Sequence, residues 1–252
     1  MEKYRHVFER FATFDNMYDG YLKARKHKRQ QDCVLQYTNL LEDNLIDSVN
    51  RLQWHEYHTG QLHQFYEYYP KLRLISSLPF YDRVINCAAH NVLWPIYRKS
   101  MYEYSFVSIE EKGPIRASRT VQQWMRSYAR KPGDWYIVKM DIAKFFFRIP
   151  VDVQLRELSK PLDDPDMVWF LEQAIRCDGR PLGLPVYCTD VTTAERISGI
   201  GMQVGSLISQ MTANVVMTPT DYYIKLTNLQ SEYRRIGVNY NQAVKALHTG
   251  LS

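Results

Sequence analysis

The sequence predicts an α+β chain that is rich in helix over its first half. Three observations carry that reading. Apolar residues recur at spacings of three and four from Val7 to Leu22 and again from Leu35 to Val49. An aromatic, β-favouring run from Phe65 to Ile75 turns about Pro70. A strand-like stretch, Trp135-Tyr136-Ile137-Val138, ends shortly before Asp141, and helical patterns follow it.

Val7, Phe8, Phe11, Phe14, Tyr18 and Leu22 mark an amphipathic helix within residues 1–26, with a break expected near Asp15-Asn16. The cluster Lys23, Arg25, Lys26, His27, Lys28, Arg29 follows. It is either a solvated helix end or a patch that contacts phosphates. Leu35, Leu40, Leu41, Leu45, Ile46 and Val49 continue a second helix. Residues 65–75 read as a β-hairpin with Lys71 and Arg73 on one face, because side chains alternate along a strand. Asp82 to Trp94 is helical, with Pro95 near its end. His90 on that helix is a core or surface histidine, since no second ligand stands at helical spacing. A further helix covers residues 116–129, and Lys131-Pro132-Gly133-Asp134 is a turn. After the strand that leads to Asp141, the run Asp163-Asp164-Pro165-Asp166 opens a helix through Ile175; acids and proline in a first turn are start signals. Residues 179–198 are loop-like and residues 206–226 return to helix. A polar helical tail runs from Asn228 to Ser252, and the composition shifts near residues 226–231.

The 252 residues suffice for one large domain or two small ones, with 45% hydrophobic and 23% charged residues. No apolar run approaches the length of a membrane span, and no apolar region follows Met1 to His6, so neither a span nor a signal peptide is expected. Cys33, Cys87, Cys177 and Cys188 lack ligand-like or framework-like spacing and are read as reduced thiols in a cytoplasm. The net charge of +5 permits a polyanionic partner. The 19 Tyr, 10 Phe and 5 Trp include candidates for base stacking, although most are expected in the core.

The chemistry concentrates in two segments. Asp141 stands where a strand ends and the chain turns, a position that suits a carboxylate holding a hard cation; the lesser alternative is a simple cap of the turn. The backbone carbonyl of Ile142 is a second oxygen ligand. Phe145, Phe146 and Phe147 pack beneath a sheet, with at least one turned toward a substrate, because successive side chains do not share a face. About sixty residues on, Gly201, Gly205 and the small Ser206 let a backbone approach a nucleotide closely. Ser209-Gln210 and Ala213-Asn214 then open a helix.

Taken together, these residues resemble a bacterial reverse transcriptase of the retroelement kind over residues 1–226. Leu74-Ile75 through Leu78-Pro79-Phe80 and then Asp82-Arg83-Val84 resemble its fingers segment. Asp141-Ile142-Ala143-Lys144-Phe145-Phe146 resembles its first palm motif, and Gly201 to Gln210 its next. The resemblance implies helical fingers over residues 1–130 and an incomplete polymerase palm over 131–226, with a small antiparallel sheet and helices on one face. It implies that Asp141 and the Ile142 carbonyl hold catalytic Mg2+, and that Phe146 lies under the sugar and excludes a 2′-hydroxyl. Lys71 and Arg73 would contact the incoming triphosphate. Val204 and Gly205 would shape the nucleotide pocket, and Gly201, Ser206 and Gln210 would contact template or primer. The implied partners are an RNA template, a DNA or RNA primer and deoxynucleoside triphosphates, without a membrane. Val204-Gly205 and Ser209-Gln210 are similar to the diversity-generating and prophage or defence variants, which suggests relaxed base selection.

Two departures qualify the likeness. Gln203 stands where proline is common. The family's aromatic-x-Asp-Asp hairpin, expected after a helix ending near Lys225, is missing, as are the thumb elements. The only adjacent aspartates, Asp163-Asp164, lie between the two palm motifs at a helix start. The tail, 227–252, instead resembles a plasmid mobilisation accessory protein, as at a junction of two mobile elements. The expectation is therefore an RNA-directed DNA polymerase by descent, truncated and with little or no activity of its own, since two metals need at least two carboxylates. The alternatives are a non-catalytic nucleic-acid-binding protein, which the basic cluster would serve, and a mobile-element remnant without function.

Overall fold

A computed structural model describes residues 3–69, 72–133, 142–188, 190 and 194–218. The chain divides into two compact units, Met1–Val216 and Met217–Ser252; the architecture below is that of the first. The strand expected to lead into Asp141, Asp141 itself, Lys71 and the tail all lie outside the described residues.

The first helical stretch breaks at Ala12-Thr13, not at Asp15-Asn16. It gives α1 (Val7–Phe11) and α2 (Phe14–Ala24). Thr13 is extended, and its Oγ1 accepts the Asn16 N–H at 3.3 Å, so the threonine starts a new helix where apolar spacing alone shows continuity. The second stretch also divides, into α3 (Asp32–Asn39) and α4 (Leu41–Gln53), at Leu40. Leu40 is exposed, so its apolar character marks no core position.

The hairpin forms as expected from β1 (His63–Glu67) and β2 (Arg73–Ser77). The strands are antiparallel, with His63 opposite Ser77 and Glu67 opposite Arg73. It leads through Pro79 into α5 (Phe80–Arg98), the central helix, which runs past Pro95 to Arg98. Helices α1, α2 and α3 pack on α5. Gly20 is required where α2 meets it: a Cβ there would lie 2.6 Å from the Val84 carbonyl oxygen. Asn16 fixes the same crossing, its amide donating to Ala88 O at 3.0 Å and to Phe11 O at 2.9 Å. The principal core surrounds this contact and includes Phe11, Met17, Tyr21, Val84, Ile85 and Phe170.

Helix α6 (Pro114–Ala129) contributes no buried residue. The three phenylalanines lie in a single short turn, α7 (Phe145–Arg148), followed by α8 (Val151–Ser159). Helix α9 (Pro165–Arg176) starts where the acidic run predicts and packs on α8 and α1. The Tyr97 hydroxyl of α5 donates to Leu158 O of α8 at 2.7 Å, which joins the two halves of the core. Helix α10 (Leu207–Met217) follows the glycine motif. A smaller core of Ile149, Met202 and Val216, with Phe145 and Phe146 against it, lies under that motif.

The class is α+β as expected, but the sheet among the described residues is the hairpin, within the first 130 residues. No helix among the described residues is long and apolar enough to cross a membrane. The four cysteines are free thiols.

Candidate nucleotide site

The glycine motif and the hairpin, 127 residues apart in sequence, are joined by two hydrogen bonds. The Ser76 N–H donates to Val204 O at 3.0 Å, and the Gln203 side-chain amide donates to Ser76 O at 2.7 Å. Both Ser76 and Gln203 are buried. Strand β2 thus has β1 on one edge and the 203–204 segment on the other. The loop then turns at Gly205, whose φ of +113° suits glycine, and Gly205 is exposed. Its Cα faces the Ile75 side chain; a Cβ there would lie 3.5 Å from Ile75 Cγ2. Ile75 and Arg73 share a face of β2 by strand alternation, so the loop turns over the face that carries Arg73. Arg73 is exposed, opposite Glu67.

The segment that carries Phe146 reaches the same place through its backbone. Met202 N–H donates to Phe146 O at 2.6 Å, and Gly201 N–H to Ile149 O at 2.8 Å. Phe146 is half-buried, its ring edge-on to Phe145 at 5.5 Å, and Ile142 is exposed. Gly201 has φ +97°, and a Cβ there would meet the Gly183 nitrogen at 2.8 Å. The close approach that glycine allows at Gly201 is thus to the chain's own 182–183 backbone. Ser206 is buried; its carbonyl accepts the Gln210 N–H at 3.2 Å at the start of α10, and Gln210 is exposed. Backbone hydrogen bonds therefore link the Phe146 segment, the 201–206 loop and strand β2, on which Arg73 stands three residues before Ser76. Ile142 lies four residues before Phe146, at the edge of the described chain.

Side chains without a motif hold this junction. Gln154 of α8 is buried and donates to Gly201 O at 2.9 Å and to Ile149 O at 3.2 Å. Asp82 is buried, accepts the Tyr57 hydroxyl at 2.8 Å and the Gly60 N–H at 3.1 Å, and so fixes the approach to the hairpin. Burial holds its pKa above the ordinary aspartate value, against the pull of those two donors. Asp178 accepts the Leu62 N–H at 3.1 Å and pairs with Arg180, which ties the loop after α9 to the start of β1. Cys177 lies 3.8 Å from Gln203 Oε1, and burial pushes its thiol up to about 12, so it is protonated and inert there. Sequence reading missed Gln154, Asp178 and Ser76, which carry no local signal; it noted Gln203 only as a departure.

Asp163 and Asp164 are committed to structure. Asp164 accepts N–H groups from Met167 at 3.0 Å, Val7 at 2.7 Å and Phe8 at 2.9 Å, which caps α9 and α1 together. Asp163 pairs with Arg5 at 2.6 Å, and that guanidinium holds its pKa below the usual aspartate range. Among the described residues, no three His, Cys, Asp or Glu side chains come together in a metal-binding group.

The sequence pattern of the family described as Reverse transcriptase (RNA-dependent DNA polymerase) matches residues 67–234, well over half of the chain. The chain belongs to the reverse transcriptase family. Among curated proteins this reverse transcriptase-family chain is similar to Protein YkfC of Escherichia coli (strain K12), 19% identical over 175 residues. Those residues are 69% of this chain and 43% of YkfC, so the chain spans less than half the length of that relative. Among solved structures it is similar to a chain of a partial Cas6-RT-Cas1–Cas2 complex, with a TM-score of 0.53 and 18% identity. The match covers 84% of this chain and 34% of that one. A chain of the Cas6-RT-Cas1–Cas2 complex matches with the same score and identity and is covered to 21%. At this identity the likeness establishes the fold.

Proposed function

We propose that the chain carries the nucleotide-binding half of an RNA-directed DNA polymerase, which adds deoxynucleotides to a primer along an RNA template. The observation that carries this reading is the pair of hydrogen bonds between Ser76 and residues 203–204. They set an open glycine turn over the hairpin face that bears Arg73, beside the segment that follows Asp141. In this reading residues 1–130 are fingers and 131–226 palm. Arg73, with Lys71, takes the triphosphate, Val204 and Gly205 bound the base and sugar, and Phe146 excludes the 2′-hydroxyl. Exposed Gln210 is assigned to the template side, and Gly201 and Ser206, both buried, support the turn from beneath. Retroelements of the diversity-generating or prophage kind are the nearest source by motif.

Carboxylates and phosphate oxygens suit Mg2+, and Asp141 with the Ile142 carbonyl would hold it. Two-metal phosphoryl transfer needs a further carboxylate from another strand. The Asp163-Asp164 pair is occupied by α1, α9 and Arg5, so it does not supply that carboxylate. The test titrates a fluorescent deoxynucleoside triphosphate with Mg2+. Arg73→Gln is expected to weaken binding about 10-fold or more, as loss of a charge-assisted hydrogen bond does; unchanged affinity refutes the assignment. Primer extension that persists undiminished in Asp141→Asn would refute the metal role of Asp141.

A further inference from the structure

The turn between α2 and α3 forms a charged surface built from residues other than those of the Gly205 loop. Residues 23–29 hold five lysines and arginines and no acid, and the chain's formal net charge is +5. The remainder of the chain is therefore balanced, 27 basic residues against 27 acidic, and the excess sits in one turn. Arg25, Lys26, His27, Lys28 and Arg29 line an open cleft of about 860 Å³. The turn is ordered by its backbone: Arg25 N–H bonds Tyr21 O at 3.0 Å, Lys28 N–H bonds Arg25 O at 2.9 Å, and Gln31 N–H bonds Lys28 O at 3.0 Å. His27 takes φ +62° at its apex.

Arg25 is held in place by Tyr21. Its guanidinium lies 4.8 Å from the centre of the Tyr21 ring and donates to the Tyr21 hydroxyl at 3.0 Å. Tyr21 is buried and hydrogen-bonded to Thr38 of α3 at 2.8 Å, so the arginine is braced from both helices. Arg25 Nε is buried without a hydrogen-bond partner. None of Arg25, Lys26, Lys28 and Arg29 forms an ion pair among the described residues. Cations held close together without counter-charges repel one another, and a polyanion relieves that repulsion.

We propose that the α2–α3 turn is a docking site for the sugar-phosphate backbone of a single-stranded nucleic acid, separate from the nucleotide site. The proposal rests on the reading that the chain works on nucleic acid. An acidic protein surface is the competing occupant. An open cleft lined by long cations, with the exposed Leu22 as its one apolar side chain, favours a backbone read by charge over a folded partner read by shape.

The test measures binding of a labelled oligouridylate to the full chain as a function of salt. The variant K26Q/K28Q/R29Q leaves Tyr21 and Arg25 in place. It is expected to reduce the slope of log K against log salt by about 2, at roughly 0.7 per phosphate contact, and affinity at 0.1 M salt by about 100-fold. The control R10Q/R98Q/R130Q removes equal charge elsewhere and is expected to keep the wild-type slope. Equal slopes for wild type and K26Q/K28Q/R29Q would overturn the site and leave the nucleotide reading standing, as would polyglutamate competing as well as RNA. Absence of any RNA binding by the wild type at low salt would overturn both.

Discussion

Replacing Gln203 by leucine removes the side-chain donor that holds the glycine turn to the hairpin while keeping a similar volume. The Gln203 amide bonds Ser76 O at 2.7 Å, and both residues are about 3% exposed, so water does not replace the lost partner. A buried carbonyl left without its donor costs about 1–3 kcal/mol. For a unit of this size about 2–4 °C of melting temperature accompanies each kcal/mol, so a fall of about 2–12 °C is expected by circular dichroism. The local readout is sharper. The Ser76 amide is protected by Val204 O, and its hydrogen exchange should accelerate about 5- to 150-fold if the loop lifts by that free energy. Ser76→Ala is the control, since it removes only the Oγ that accepts from Gln64 at 3.1 Å and keeps the main-chain carbonyl. A Gln203→Leu protein that melts within about 1 °C of wild type and keeps its Ser76 amide protection would refute the account of how the site is held together.

Asp164→Ala should cost roughly 2–4 kcal/mol, because it removes the cap of α9 and orphans two buried N–H groups of α1; urea titration checks this, and a loss below about 1 kcal/mol would argue against the shared cap. His90 is half-buried on α5, and burial, aided by the Lys23 charge, lowers its pKa from 6.5 to about 4. The unfolded chain therefore binds this proton more readily than the folded one. The stabilisation is full above pH 6.5 and is lost as pH falls from 6.5 toward 4, by roughly 3 kcal/mol at most. Denaturant midpoints measured across that window should decline for wild type and flatten in His90→Gln.

The parts of the fold legible in sequence are those with strong local chemistry. The hairpin was readable because alternation, aromatic content and Pro70 agree, and the start of α9 because Asp164 and Pro165 are capping residues in the right order. Helix α8 was not, since Val151, Val153 and Leu155 alternate with polar residues as a strand would. The division at Leu40 was hidden by a second leucine beside it. At the site, Gly201 and Gly205 were legible as positions that need no Cβ, but their neighbours were not. That Gly201 packs on Gly183, and that Gln203 bonds Ser76, are facts of tertiary distance with no periodic signature.

The attachment of residues 203–204 along β2 also governs how this region moves. A hairpin whose strand β2 is bonded on both edges is no free flap: to swing, it must either break two buried hydrogen bonds or carry the glycine turn with it. Any closing movement here would then be a concerted tilt of strand and loop together, so a substitution at Val204 that weakens its carbonyl's hold on Ser76 would also change how readily the two move.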